Sequence, residues 1–159
     1  MHRPISFRRP RQRGFSLMEL LIVIAIILVI MAIALPPFNR AKMHANEMAV
    51  LKELETVYTA QTQYHSQFGK FAQTLTELGP PSGGALGASG AGLIPKTLAQ
   101  GEHNGYRFAM AGIPGGFAAT AVPVAFGSTG QRTFFMDQNK SIKQNWSQET
   151  ANAQSEEFR

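Results

Sequence analysis

The chain has 159 residues, no cysteine and a formal net charge of +5. This length suits one modest globular domain with an added N-terminal segment, and the absence of cysteine excludes disulfides, thiolate zinc sites and thiol nucleophiles. The basic charge belongs to the first 14 residues, which hold no acidic residue and five arginines, namely Arg3, Arg8, Arg9, Arg11 and Arg13. Removing these five from the 15 Lys and Arg leaves ten basic residues against ten acidic ones. Nucleic-acid binding would need a basic patch on the folded domain, so we do not expect it.

An apolar segment follows this basic start. Residues 20–35 form an unbroken apolar run, and only Ser16 and Glu19 are polar between residues 15 and 35. A helix over residues 15–38 would extend about 36 Å at about 1.5 Å per residue, which is enough to cross a hydrocarbon core of about 30 Å. We therefore predict a transmembrane helix over residues 15–38, with the five preceding arginines on the cytoplasmic side and the rest of the chain exported.

Three interpretations of this segment are open. It could be a plain single-pass anchor, or an ordinary secretory signal cut after the small-residue sequence Ala32-Ile33-Ala34. The third interpretation gives the glutamate a function. A charged residue in the middle of a membrane helix costs about 2.5–3.5 kcal/mol, so Glu19 calls for a partner cation, which neither of the first two interpretations supplies.

The basic leader, Gly14 and the following sequence FSLMELLIVIAIILVIMAIALP resemble the N-terminus of type IV pilins and of type II secretion pseudopilins. The resemblance implies that a prepilin peptidase cuts between Gly14 and Phe15 at the cytoplasmic membrane face and then N-methylates Phe15. Glu19 matches the family's glutamate at the fifth mature position, and Pro36 matches its helix-kinking proline. The second proline, Pro37, departs from the family pattern.

The resemblance also implies how subunits assemble. Glu19 of an incoming subunit would pair with the Phe15 amine of its neighbour, and a paired charge costs far less in hydrocarbon than a lone carboxylate. Residues 20–35 would anchor the subunit before assembly and form the fibre core afterwards. Because proline removes a helical hydrogen bond, we predict a helix kink with local melting at Pro36 and Pro37; the simpler alternative is that they end a transmembrane helix.

The next segment has the pattern of an amphipathic helix. Residues 38–68 contain no Gly or Pro, and one stripe recurs at spacings of three and four, comprising Val50, Leu54, Val57, Gln61, Tyr64 and Phe68. The stripe is apolar except at Gln61. We therefore predict a helix over residues 39–68 that ends at Gly69 and packs its stripe on a sheet.

The remainder is predicted to form the rest of a small head. Residues 79–92 are a loop of Gly, Pro, Ser and Ala; no GK[ST] follows it, which argues against a phosphate-binding loop. A short helix is predicted over residues 93–99. Strands are predicted over 106–110, 116–124, 132–137 and 141–146, the last two joined by a turn at 138–140.

Three to four antiparallel strands packed on one helix predict an α+β fold for the head, over residues 39–146. Segments of it, such as NGYRFAM, also resemble the heads of bacterial pilin-like proteins. The polar tail, residues 147–159, has little to bury and is predicted to be frayed.

No catalytic, cofactor or metal site is predicted. The histidines are scattered at His2, His44, His65 and His103, and Asp137 is the only aspartate, whereas calcium sites use several carboxylate and carbonyl oxygens. Major type II pseudopilins generally carry a calcium loop, and several major pilins a C-terminal disulfide loop. This sequence supports neither.

The sequence thus predicts a non-enzymatic structural subunit of a type IV pilus or related filament. Its predicted partners are further copies of itself, the prepilin peptidase and methyltransferase, the inner-membrane pilus assembly machinery and the membrane. Before assembly it would span the inner membrane once with a periplasmic head; afterwards it would lie in an extracellular pilus or a periplasmic pseudopilus. The alternatives are a type II secretion pseudopilin and a secreted soluble protein with an ordinary signal peptide.

Overall fold

A computed structural model describes residues 14–158, so the predicted leader lies outside the described residues except for Gly14. The chain divides into two compact units, one ending at Phe38 and the other beginning at Asn39. The helices are α1 (Leu17–Phe68), α2 (Leu75–Leu78) and α3 (Lys96–Ala99). The strands are β1 (Glu102–His103), β2 (Tyr106–Ile113), β3 (Gly116–Pro123), β4 (Thr133–Asp137), β5 (Ile142–Asn145) and β6 (Glu156–Glu157).

The first part of α1 exposes its apolar side chains. Every described residue from Gly14 to Arg40 is exposed, although an 18-residue window of α1 reaches a mean hydropathy of 3.1. Length and composition therefore allow this one helix to cross a membrane, properties that a signal sequence near the N-terminus shares. Such a continuous apolar surface on a soluble monomer would be unusual, because large exposed apolar patches mark sites that contact a membrane or another protein.

α1 continues through Pro36 and Pro37 without interruption. The prediction that the helix melts locally at these residues is therefore wrong for this chain. Proline removes a backbone hydrogen bond, but its φ of about −65° is itself helical, so both rings can stay within the helix. The predicted kink stays a prediction.

The second part of α1 buries the predicted stripe. Val50, Leu54, Val57 and Tyr64 are fully buried in the core, as is the polar Gln61. The side-chain amide of Gln61 donates to the Ala72 carbonyl and accepts from the Ala72 amide, both at 2.9 Å. Gln61 therefore satisfies its buried polar atoms while it holds the returning chain against the helix. The helix ends before Gly69, as predicted, and Gly69 has a φ of 69° that favours glycine.

The head combines this helix with an antiparallel sheet, which confirms the predicted α+β fold. The sheet has six strands in the order β1-β2-β3-β4-β5-β6, so the prediction of three to four strands is too low. The four longer strands are those predicted. β1 and β6 have only two residues each and lie at the sheet edges, which is too short for an alternating pattern to show in the sequence.

Residues 147–158 are ordered, so the prediction of a frayed tail is wrong for this described part of it. β6 pairs with β5, Ala151 is buried, and Phe158 packs against the core. The Thr133 hydroxyl donates to the Glu149 carbonyl at 2.8 Å and accepts from the Ala151 amide at 2.9 Å. A few well-placed contacts of this kind can order a segment whose composition is polar.

A short helix was predicted over residues 93–99. The structure forms its second half as α3, Lys96–Ala99.

Candidate functional site

The predicted cleavage position lies in exposed, non-helical backbone. Gly14 and Phe15 precede the start of α1 at Leu17, and Phe15 is 88% exposed. A Cβ added at Gly14 would meet nothing within 4 Å, so the described fold does not itself require a glycine here. Exposed backbone outside regular structure is where proteases cut most readily, and the Gly14–Phe15 bond meets that requirement.

Ser16 and Glu19 form a capping box at the start of α1. The Ser16 hydroxyl oxygen accepts from the Met18 amide at 3.3 Å, and the Ser16 amide donates to the Glu19 Oε2 atom at 3.4 Å. The Ser16 carbonyl accepts from the Leu20 amide at 3.2 Å. This reciprocal arrangement satisfies backbone donors that a helix start leaves free. This motif was not predicted from the sequence, although the sequence contains its signature, Ser16 followed three residues later by glutamate.

In a single subunit, the capping box gives the Glu19 carboxylate a partner within its own chain, the Ser16 amide. Its contact is long compared with the 2.7–2.9 Å typical of a charged N–H to carboxylate bond, so the carboxylate can exchange it for a stronger partner. Phe15 and Glu19 are four residues apart in the sequence, which is about one helical turn, and Phe15 lies just before α1 begins at Leu17. Pro36 and Pro37 lie between four and five turns farther along α1 and are not part of this group.

A second polar cluster lies at the start of the head. Glu47 and Arg132 are only 5% and 8% exposed. The Glu47 carboxylate accepts from the Arg132 Nε and Nη2 atoms at 2.9 and 2.5 Å, and from the Gln131 amide at 2.9 Å. The Arg132 guanidinium also lies 4.7 Å from the centre of the Trp146 ring. The cluster therefore joins α1 to the segment that leads into β4.

The cluster of Glu47 and Arg132 was not predicted from the sequence either. Extending the buried stripe backwards from Val50 by steps of three and four reaches Glu47 and Met43, and both are buried. The spacing of the stripe therefore indicates, from the sequence alone, that Glu47 is buried and needs a polar partner. Burial, followed by the nearby Glu47 charge, raises the pKa of Tyr106, whose hydroxyl donates to the Arg132 carbonyl at 2.9 Å.

We expect Glu47→Ala to destabilise the head by about 3 kcal/mol, because it leaves the buried Arg132 guanidinium without its carboxylate. Urea unfolding of the full chain in detergent, followed by circular dichroism, measures this loss. Glu55→Ala is the matched control. Its ion pair with Lys140 at 3.1 Å is half exposed, so its loss should cost less than about 1 kcal/mol. Equal losses in the two variants would contradict a structural role for the buried pair.

Within residues 14–158, no group of three or more His, Asp or Glu side chains is placed to hold a metal ion. His103 contacts Glu53, and Asn104 donates to the same carboxylate oxygen at 2.8 Å. This contact joins the sheet edge to α1 and brings together one histidine and one carboxylate. The geometry is that of a structural hydrogen-bond pair.

Comparison with known proteins bears on the N-terminal segment. Residues 9–35 match the family model described as the prokaryotic N-terminal methylation motif. Over 75 residues, the chain is 36% identical to Type IV major pilin protein PilA of Myxococcus xanthus, an alignment that covers 47% of this chain and 34% of that protein. Over 74 residues, it is 36% identical to Type IV major pilin protein PilE1 of Neisseria gonorrhoeae, with 45% of each chain covered.

The matched region thus spans less than half of each of these relatives. The match to the family model, residues 9–35, includes the predicted cleavage position, the capping box and the apolar run. The predicted resemblance is confirmed: this chain carries the prokaryotic N-terminal methylation motif, and over less than half of its length it is similar to type IV major pilins.

Proposed function

We propose that this chain is a structural, non-enzymatic subunit of a type IV pilus or a related filament. The observation that carries the proposal is the exposed apolar part of α1, most of which lies within the matched methylation motif. A surface of this kind needs a membrane or other protein around it, and a filament subunit uses both in turn. The similarity to two type IV major pilins favours a pilus over a type II secretion pseudopilus.

Processing by a prepilin peptidase is the first step that we propose. The enzyme cuts between Gly14 and Phe15 and N-methylates the new Phe15 amine. Exposed backbone on both sides of this bond supports the assignment, as does the position of Gly14 and Phe15 inside the matched motif. The leader, residues 1–14, is removed, and residues 15–38 remain as the membrane and assembly helix.

Assembly follows from the same segment. In the membrane, residues 15–38 span the bilayer once, with the head in the periplasm. The inner-membrane assembly machinery then transfers the subunit to a growing fibre, where Glu19 pairs with the Phe15 amine of a neighbouring copy and the apolar run forms the core. The head comprises residues 39–146, and the ordered contacts of Ala151 and Phe158 extend it into the tail. Pro36 and Pro37 supply the proposed kink.

Processing predicts a defined N-terminus. The mature chain should begin at Phe15 and be heavier than the unmodified sequence by one methyl group. Intact-mass measurement of protein from sheared fibres and from membranes tests this. A chain that begins at Leu35 would indicate an ordinary signal peptide, and an uncut chain in cells with active peptidase would indicate a plain anchor. Either result would reject the proposed function.

A further inference from the structure

A groove of about 420 Å³ lies at the start of the head. Arg40, Met43 and His44 of α1 line one side, and Arg132 and Trp146 line the other. All of these residues belong to the unit that begins at Asn39. Arg40 is also only two residues after Phe38, where the apolar segment ends. The groove therefore begins where the proposed membrane helix leaves the hydrocarbon.

Basic residues dominate this part of the chain. Arg40, Lys42 and His44 are all exposed within about one turn of α1, and of these three Arg40 and His44 line the groove. No acidic residue lies between Glu19 and Glu47, and the Glu47 carboxylate already accepts hydrogen bonds from Arg132 and Gln131. The start of the head therefore presents uncompensated positive charge, which suits a negatively charged surface.

Trp146 adds an aromatic ring to this basic surface. It is 59% exposed, and the Arg132 guanidinium stacks 4.7 Å from its ring centre. The stacking limits the freedom of the ring, while much of its apolar surface still faces solvent. Tryptophan is enriched at the membrane interface, where its amphipathic ring lies at the level of the lipid headgroups.

We propose that this groove contacts the outer surface of the inner membrane before assembly and binds anionic phospholipid headgroups. The proposal rests on the proposed function, which places residues 15–38 in the bilayer. At about 1.5 Å per residue, Arg40 and His44 lie about 3 and 9 Å beyond Phe38 along the helix. The headgroup region extends about 5–8 Å beyond the hydrocarbon core on each side. Arg40 and Lys42 thus reach the lipid phosphates, and Trp146 lies against the headgroups.

This contact would hold the head of each unassembled subunit on the membrane. Entry into a fibre must then break it, so the lipid contact competes with assembly. The five leader arginines still set the orientation, since they outnumber Arg40 and Lys42 on the other flank of the apolar run.

Trp146 is the only tryptophan, so its fluorescence reports directly on the groove. The full chain would be reconstituted into proteoliposomes of phosphatidylcholine, with or without phosphatidylglycerol, using lipids brominated on the acyl chains near the headgroup. We expect bromine to quench Trp146 in the vesicles that contain phosphatidylglycerol, and to quench it less at high salt, because the Debye length falls from about 8 Å at physiological ionic strength to about 3 Å at 1 M.

A relocated tryptophan supplies the matched control. The double variant W146F with L86W moves the fluorophore to an exposed position in the loop of residues 79–92. The Tyr64 hydroxyl donates to the Ala88 carbonyl of this loop at 2.7 Å, and Tyr64 lies about 30 Å beyond His44 along α1. We expect quenching of Trp146 to exceed that at position 86 by about twofold or more. Equal quenching at the two positions would overturn the proposal.

Charge variants test the role of the lipid phosphates. Arg40→Gln and Lys42→Gln should each shift the equilibrium between surface-bound and free heads about fivefold towards the free form, a factor set by the attraction of one basic residue to an anionic membrane. Lys70→Gln, an exposed change beyond the far end of α1, should have no effect. Quenching that is unchanged in both the Arg40 and Lys42 variants, or equally strong without phosphatidylglycerol, would reject the binding of anionic headgroups.

The remaining outcomes separate this proposal from the proposed function. If Trp146 becomes shielded only when fibres form, the groove is a contact between copies and the membrane proposal is wrong. Processed, methylated protein whose Trp146 is not quenched would reject the lipid contact alone. Quenching of Trp146 in a chain that cells never cut would support the lipid contact and reject the pilin function.

Discussion

A Gly14→Val chain should accumulate in the inner membrane with its leader attached, and no fibre should form from it. The apolar run that inserts the chain is unchanged. The proposed peptidase accepts glycine, the smallest residue, before the cut. In the variant, the valine side chain must fit into the space that a single hydrogen atom of Gly14 occupies in the enzyme. Each misplaced methylene in an enzyme pocket costs about 1–3 kcal/mol, so three added carbons should slow cleavage by more than about a hundredfold.

The structure removes one alternative explanation of such a block. A Cβ added at position 14 meets no other described atom within 4 Å, its chain neighbours aside, and α1 begins three residues later, at Leu17. A misfolded head is therefore not expected in Gly14→Val. Immunoblots of membrane fractions and the intact mass of the chain measure the effect, and Gly14→Ala is the control, with slower but detectable cleavage. Normal processing of the valine variant would show that the peptidase does not require Gly14 before the bond that it cuts.

The features predicted from the sequence are those with a long regular pattern. The stripe from Val50 to Phe68 repeats over five turns, and it identified the buried face of α1, including the odd polar member Gln61. Burial likewise alternates over eight residues in β2 and over seven, residues 117–123, in β3. Such patterns are visible because burial on one face of an element repeats with its geometry.

What the sequence did not predict depends on contacts between distant segments. Glu47 and Arg132 are 85 residues apart, and no local pattern shows that they meet. The ordered tail depends on Thr133, whose hydroxyl bonds both Glu149 and Ala151. In composition the same tail resembles a disordered segment. Only tertiary packing decides whether a segment of this composition is ordered or disordered.

The capping box changes how the role of Glu19 must be tested. The family resemblance implies one partner for the glutamate, the Phe15 amine of another subunit. The structure shows a second partner, the Ser16 amide of the same chain at 3.4 Å. Loss of fibres in Glu19→Ala would by itself fit either role, because the alanine variant lacks both the charge and the capping acceptor.

Two further variants separate these roles. Glu19→Gln keeps a side-chain oxygen that can accept from the Ser16 amide, since glutamine also completes a capping box, but it has no charge for the Phe15 amine. Ser16→Ala keeps the carboxylate and removes the hydroxyl that caps the helix, a loss of about 1 kcal/mol. The helix continues for more than ten turns beyond this cap, so its residual stability should tolerate that loss.

We therefore expect Glu19→Ala and Glu19→Gln to give normal amounts of processed, membrane-inserted protein and little or no protein in sheared fibres, whereas Ser16→Ala should form fibres. Insertion should not suffer, because removing a carboxylate from the apolar segment makes insertion easier. In the fibre, however, the Phe15 amine would be left without its counter-charge at a penalty of about 3–5 kcal/mol if fully desolvated. This penalty recurs at every subunit, and a 3 kcal/mol loss already weakens each addition by more than about a hundredfold. Normal fibre yield from Glu19→Gln would show that Glu19 acts by capping its own helix. Failure of either Glu19 variant to insert would mean that the charge serves targeting, and would equally contradict the pairing with Phe15.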